Sequence, residues 1–164
     1  MKKLLIASLI FLSGCSTLDT TVTSINNYST NFILKNYETD KRIPSFRPGY
    51  IFFGQYNPEV SETFYSELSF FARNFKKYSS PKNKILITGY IDIDEKNREF
   101  NTLGKKRAEE VKAILIRMGI STEYILINDM GGKKYFNSNK TVIDKAKNRC
   151  ITIEVFKEKN TNKK

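Results

Sequence analysis

The sequence predicts an α/β fold in which helices pack on one sheet, and three observations carry that reading. Apolar runs of strand length stand at Tyr50–Phe53, Ile85–Ile91, Tyr124–Asn128 and Ile151–Val155. Between them lie two substantial stretches of helical period, and no internal repeat interrupts the alternation. Strands that alternate with helices bury both kinds of apolar surface in a layered sandwich.

The first run, Tyr50-Ile51-Phe52-Phe53, reads as a buried strand. Asn57-Pro58-Glu59 then offers an N-cap, a first-turn proline and an acid at the positive end of a helix dipole, so a helix is expected to follow. Its Val60, Phe64, Leu68, Phe71 and Phe75 keep three- and four-residue spacing, which suits a core stripe better than a surface for stacking sugars or bases. Lys76 and Lys77 suit its carboxyl end.

Ile85–Ile91 is the second strand, and a loop from Asp92 to about Phe100 leads to the second helix, capped by Asn101 or Thr102 and ended by Gly119. Tyr124–Asn128 is the third strand. In the loop that follows, Gly131-Gly132-Lys133 lacks the rest of a phosphate-binding loop and reads as a turn. A short helix fits Thr141 to Lys147, and Ile151–Val155 closes the domain by strict alternation before a charged tail, 157–164.

The amino terminus reads as an export signal. Lys2 and Lys3 precede an apolar run, Leu4 to Leu12, too short to span a bilayer, and small residues follow at Ser13-Gly14-Cys15. Residues 1–14 are therefore expected to be a signal peptide. The stretch 15–49 is rich in Ser, Thr and Asn, carries Pro44 and Pro48, and reads as a tether, with Asn31-Phe32-Ile33-Leu34 as a candidate docking strand. Residues 50–156 form one domain with a core of its own. Two cysteines are present. Cys150 precedes the alternating run Ile151–Val155 and is expected to be a buried thiol.

Charge and composition narrow the function. The formal net charge is +11, falling to about +9 without Lys2 and Lys3. An exported chain with no nucleic-acid-binding motif uses such a surface for solvation, with at most a general attraction to acidic wall polymers or anionic headgroups. Histidine is absent, which removes His-based triads, histidine proton shuttles and the common His-containing zinc sites. Asp92 and Asp94 are the one carboxylate pair worth weighing for glycoside cleavage, and nothing marks either as an acid. No enzyme activity, metal or cofactor is expected.

The residue that stands out is Arg107. Leu103, Ala108, Val111, Ile114, Leu115 and Met118 share one helical face, and Arg107 projects among them instead of outside with Lys105, Lys106, Glu109 and Lys112. A guanidinium in that position must find an anion, either a carboxylate of its own chain or one on a ligand. The preceding strand ends in Asp92, so an acid and a base are expected at one crevice.

These residues carry a resemblance. Gly89-Tyr90-Ile91-Asp92 followed by Leu103-Gly104-Lys105-Lys106-Arg107-Ala108 and Val111 resembles the paired signature of OmpA-like peptidoglycan-binding domains, and Lys147-Asn148-Arg149 resembles their closing motif. Leu12-Ser13-Gly14-Cys15 resembles the lipobox of bacterial lipoproteins. The resemblance implies a βαβαβ two-layer sandwich with helices on a mixed sheet. It implies lipidation of Cys15, outer-membrane anchoring (Ser16 follows the cysteine), and a periplasmic domain that binds diaminopimelate of peptidoglycan. Asp92 would take the ligand ammonium and Arg107 its carboxylate, with Asn101 and Arg149 as further contacts. A planar guanidinium can hold a carboxylate bidentately, as an ammonium cannot. The same resemblance allows a second role, a lipoprotein subunit of an envelope machine such as a secretion system, with wall binding weak or lost. The sequence departs from the pattern at four places: Glu95 stands at a common loop glycine, Phe100 at an asparagine, Tyr135 at a frequent proline, and Cys150 at the second closing arginine.

Overall fold

A computed structural model describes residues 37–39, 50–97 and 100–159. The segment read as a signal peptide, Cys15 and the 31–34 segment lie outside the described residues. In chain order the elements are β1 (Tyr37–Thr39), β2 (Ile51–Phe52), α1 (Tyr65–Tyr78), β3 (Asn83–Tyr90), α2 (Leu103–Arg117), β4 (Ile125–Gly131), α3 (Val142–Asn148) and β5 (Cys150–Glu158). The α/β sandwich with a mixed sheet is what forms.

β5 is the organising strand. Along one side it runs antiparallel to β3, with Ile87 opposite Ile153, and its other side is shared by two short antiparallel partners. β2 pairs Ile51 with Ile151, and β1 pairs Tyr37 with Glu158. β3 is parallel to β4, and α2 makes the crossover between them. The central strand β3 is accordingly buried on both faces, which explains its continuous apolar run.

One face carries the main core. Leu68, Phe71 and Phe75 of α1 join Ala108, Val111, Ile114 and Leu115 of α2 over Ile85, Ile87, Ile125, Ile151 and Ile153. On the other face Tyr90, Met130 and Cys150 pack with Tyr50 and Phe136, and Leu86 packs with Phe156 and Leu126. Cys150 is fully buried and outside any disulfide, as a small apolar side chain would be.

Several boundaries differ from the sequence reading. Asn57-Pro58-Glu59 does not start α1: the Asn57 side chain folds onto the Glu59 amide at 2.8 Å in a local turn, and a 3-10 turn at Glu62–Phe64 leads into the helix at Tyr65. The first run is only half buried, with Ile51 and Phe53 inside and Phe52 outside, and its strand is confined to Ile51–Phe52. β4 starts one residue late, after a 3-10 turn at Thr122–Tyr124, and runs to Gly131. β5 continues to Glu158, inside the segment read as tail, because β1 pairs with its last residues; β1 itself lies within the segment read as tether. α3 begins one residue later than read, with Thr141 as its cap, the hydroxyl accepting from the Asp144 amide at 3.0 Å.

Candidate functional site

The site is built where β3 ends and α2 begins. Gly89 of β3 and Gly104 of α2 meet without side chains between them: a Cβ on Gly89 would lie 1.8 Å from the Gly104 carbonyl oxygen. That approach sets the first turn of α2 against the strand. Arg107, one turn further on, reaches back over the strand end, where its Nη1 donates to the Tyr90 carbonyl at 3.1 Å.

Arg107 is fully buried and its partner is Glu95. Nη1 lies 2.8 Å from Oε2 and Nη2 lies 2.7 Å from Oε1, a bidentate pair in which both side chains have 0% exposure. A guanidinium has five N–H donors. The remaining ones go to Asn57 O from Nε and Gly54 O from Nη2, both at 3.1 Å, and the Tyr90 carbonyl completes the set. The guanidinium carbon also lies 5.1 Å from the centre of the Phe53 ring.

Asp92 is equally buried but belongs to a different cation. Its Oδ2 accepts from Arg149 Nη1 at 2.7 Å, and its Oδ1 accepts from the Glu95 amide at 3.0 Å. The Asp92 amide in turn donates to Glu95 Oε2 at 3.4 Å, so the two acids hold each other's backbone in the reciprocal manner of a capping box. Glu95 also accepts from the Tyr56 amide at 2.8 Å. Arg149 is tied down by its Nε, which donates to the Phe53 carbonyl at 3.2 Å, while the Phe53 amide donates to Arg149 O. The result is a neutral chain of four charges, Arg107, Glu95, Asp92 and Arg149, running beneath the loop between β3 and α2.

Three of the four site residues expected from sequence are gathered here, and the fourth member of the cluster, Glu95, stands in the sequence only as a departure from the family pattern. Asp92 and Arg107 do not pair with each other; Glu95 stands between them. Asn101 is exposed at the entry to α2 and is not drawn into the cluster. The signal for Glu95 was available: an acid three residues beyond Asp92, at a position where the resembling family has glycine. Tyr135, another departure, lies near Asp92. Its hydroxyl is buried without a hydrogen-bond partner among the described residues, and burial first, then the nearby Asp92 carboxylate, raises its pKa above the ordinary phenol value.

The acid pair weighed for glycoside cleavage is split between two cations, Asp92 facing Arg149 and Asp94 held by Lys145 at 2.8 Å. Among the described residues no cluster of three metal-ligating side chains is present. What the cluster presents is ionic: two guanidinium–carboxylate pairs, Arg107 with Glu95 and Arg149 with Asp92.

Residues 52–149 match the OmpA family. The chain belongs to that family. Among solved structures, the peptidoglycan-associated lipoprotein from Burkholderia pseudomallei is similar to this OmpA-family chain at 25% identity and a TM-score of 0.60, over 65% of this chain and 88% of that one. The C-terminal domain of Helicobacter pylori MotB shares the fold at 16% identity, with a TM-score of 0.60 over 68% of this chain and 88% of that one. The T6SS cell wall anchor from Pseudomonas aeruginosa shares it at 22% identity, with a TM-score of 0.54 over 65% and 76%. No curated protein matches the chain.

Proposed function

We propose that this chain is a non-catalytic envelope protein that holds peptidoglycan: acyl chains on Cys15 in the outer membrane, a linker, and an OmpA-family domain in the periplasm that takes the diaminopimelate of a stem peptide. The observation that carries it is the convergence of Asp92, Arg107 and Arg149 in one buried ionic cluster in a chain of this family. A zwitterionic amino-acid end needs an anion and a cation at fixed separation, and this cluster holds both, each now paired within the chain. The similar lipoprotein at 25% identity is peptidoglycan-associated by its name, which supports the same reading.

One observation favours a second role. Every donor of Arg107 is already occupied by the chain itself. That suits a subunit of an envelope-spanning machine in which the cluster is structural and wall binding is weak. Retention of the full chain on purified sacculi, compared with Asp92→Ala and Arg107→Ala after circular dichroism shows each folded, separates the two. Loss of retention in both variants supports wall binding. No retention of the parent, together with a stoichiometric protein complex on purification from the membrane, supports the machine subunit. Mass spectrometry of the membrane fraction tests the anchor, expected as a lipid-modified peptide beginning at Cys15.

A further inference from the structure

Glu95 gives Arg107 what a ligand carboxylate would give it. Its oxygens make the two parallel bonds of a fork-to-fork pair, and the other three N–H groups end on the carbonyls of Asn57, Tyr90 and Gly54. A second carboxylate has no donor left to reach. Glu95 is also held from behind by the amides of Tyr56 and Asp92. Tyr56 sits in the left-handed region, with φ 58°, where a non-glycine residue is uncommon. Around the buried Glu95 side chain, Ile93, Asp94, Lys96 and Asn97 are all exposed. The acid is thus a buried side chain on a surface loop, and leaving its seat would return it to water.

We propose that Glu95 is an internal plug of the carboxylate seat: it competes with the carboxylate of an amino-acid-type ligand and sets the threshold for binding. This rests on the reading of the crevice as a peptidoglycan site, and it names what regulates that site. The physics is a population argument. A ligand that needs the plug displaced binds more weakly by the fraction of molecules in which it is displaced, so one open molecule in about a hundred weakens binding about a hundredfold. Shortening Glu95 to alanine leaves a hole of carboxylate size before an unsatisfied fork.

The test uses the full chain in detergent, as parent, Glu95→Ala and Glu95→Gln, with acetate and free diaminopimelate as probes and chloride at equal ionic strength as the control. Acetate is expected to raise the melting temperature of Glu95→Ala by about 3 °C or more over chloride and to leave the parent unchanged. Diaminopimelate is expected to bind the variant at least about tenfold more tightly than the parent. Glu95→Gln keeps the volume of the side chain and removes its charge; where the alanine variant does not fold, the same gain in diaminopimelate affinity is read there. Equal acetate response and equal affinity in parent and folded variants overturn the plug. Tighter diaminopimelate binding by Glu95→Ala than by the parent, without retention of either protein on sacculi, upholds the plug and overturns retention on the wall, so the two fail separately.

Discussion

Glu95 and Arg107 face each other fork to fork, 2.7 Å between Oε1 and Nη2, with neither side chain exposed. This is how an arginine is accommodated in the apolar stripe of α2: the charge is answered by an acid on the loop that precedes the helix. Removing one member of a buried pair leaves the other without compensation, so Arg107→Ala and Glu95→Ala are each expected to cost about 3–5 kcal/mol. Arg107→Lys is expected to lose most of the same energy, since an ammonium cannot replace five donors directed at five acceptors. Urea unfolding followed by circular dichroism measures each loss. The double replacement by apolar side chains should cost less than the two single losses added together, because no lone charge remains.

The Gly89–Gly104 contact positions Arg107, and its substitution is expected to be severe. At Gly89 a Cβ would fall 1.8 Å from backbone oxygen and 2.4 Å from backbone carbon of Gly104, atoms that no rotamer change can move aside. At Gly104 the Cβ would meet the Asp129 Oδ1 at 2.7 Å, a side-chain atom, and the backbone of Gly89 at 3.1 Å. Gly89→Ala should therefore destabilise by more than about 3 kcal/mol, and Gly104→Ala by less. The order of the two midpoints in a urea titration checks the argument.

Asn148, at the end of α3, is the fastener of the loop between β4 and α3. Fully buried, it accepts from the amides of Phe136 and Asn137, both at 2.9 Å, and donates to the Asn137 carbonyl at 3.2 Å and Asn139 Oδ1 at 2.9 Å. Asn148→Ala leaves several polar groups without partners and is expected to cost about 2–4 kcal/mol. Asn148→Asp keeps the two accepted bonds but sets a carboxylate against two oxygens, so it should be no rescue. Hydrogen exchange should show the 136–139 amides losing protection in both variants.

The sheet, both long helices and the burial of Arg107 were legible in sequence because each is written in local periodicity. The partner of Arg107 was not. Glu95 reaches its seat through the conformation of a loop whose hold comes from the amides of Tyr56 and Asp92, one of them distant in sequence. Asn57-Pro58-Glu59 misled for a related reason: an asparagine turn onto Glu59 uses the same residue types as a helix start. β1 carries no periodic signal in three residues, and it exists as a strand because β5 offers it an edge. Asp92 and Arg107 fall in one buried cluster, while their division between two opposite partners depends on contacts from four separate segments.

Asp129 provides a prediction about pH. Its carboxylate bonds to the Gly131 amide at 3.0 Å and lies near Lys133 and Lys105, yet burial outweighs these and raises its pKa above the ordinary 3.8. A carboxyl whose pKa is raised on folding binds protons more tightly in the folded state. Its contribution is therefore most favourable below 3.8 and is lost as pH rises from there through the folded-state pKa, after which it levels off. Asp144 has the opposite sign, because hydrogen bonds led by the Ser138 hydroxyl lower its pKa; its stabilisation is present above 3.8 and fades as the solution becomes more acid. The two overlap in a raw stability curve, so the informative quantity is the difference between the parent and Asp129→Asn. The amide keeps an oxygen for the Gly131 N–H and has no charge to desolvate. Asp129→Asn should match or exceed the parent in stability at pH 7, and its advantage should shrink steadily as the pH falls toward 3.8. Urea midpoints measured for both proteins from pH 7 down to pH 4 decide it: a difference that stays constant, or that grows toward acid, would mean that burial does not govern this carboxylate.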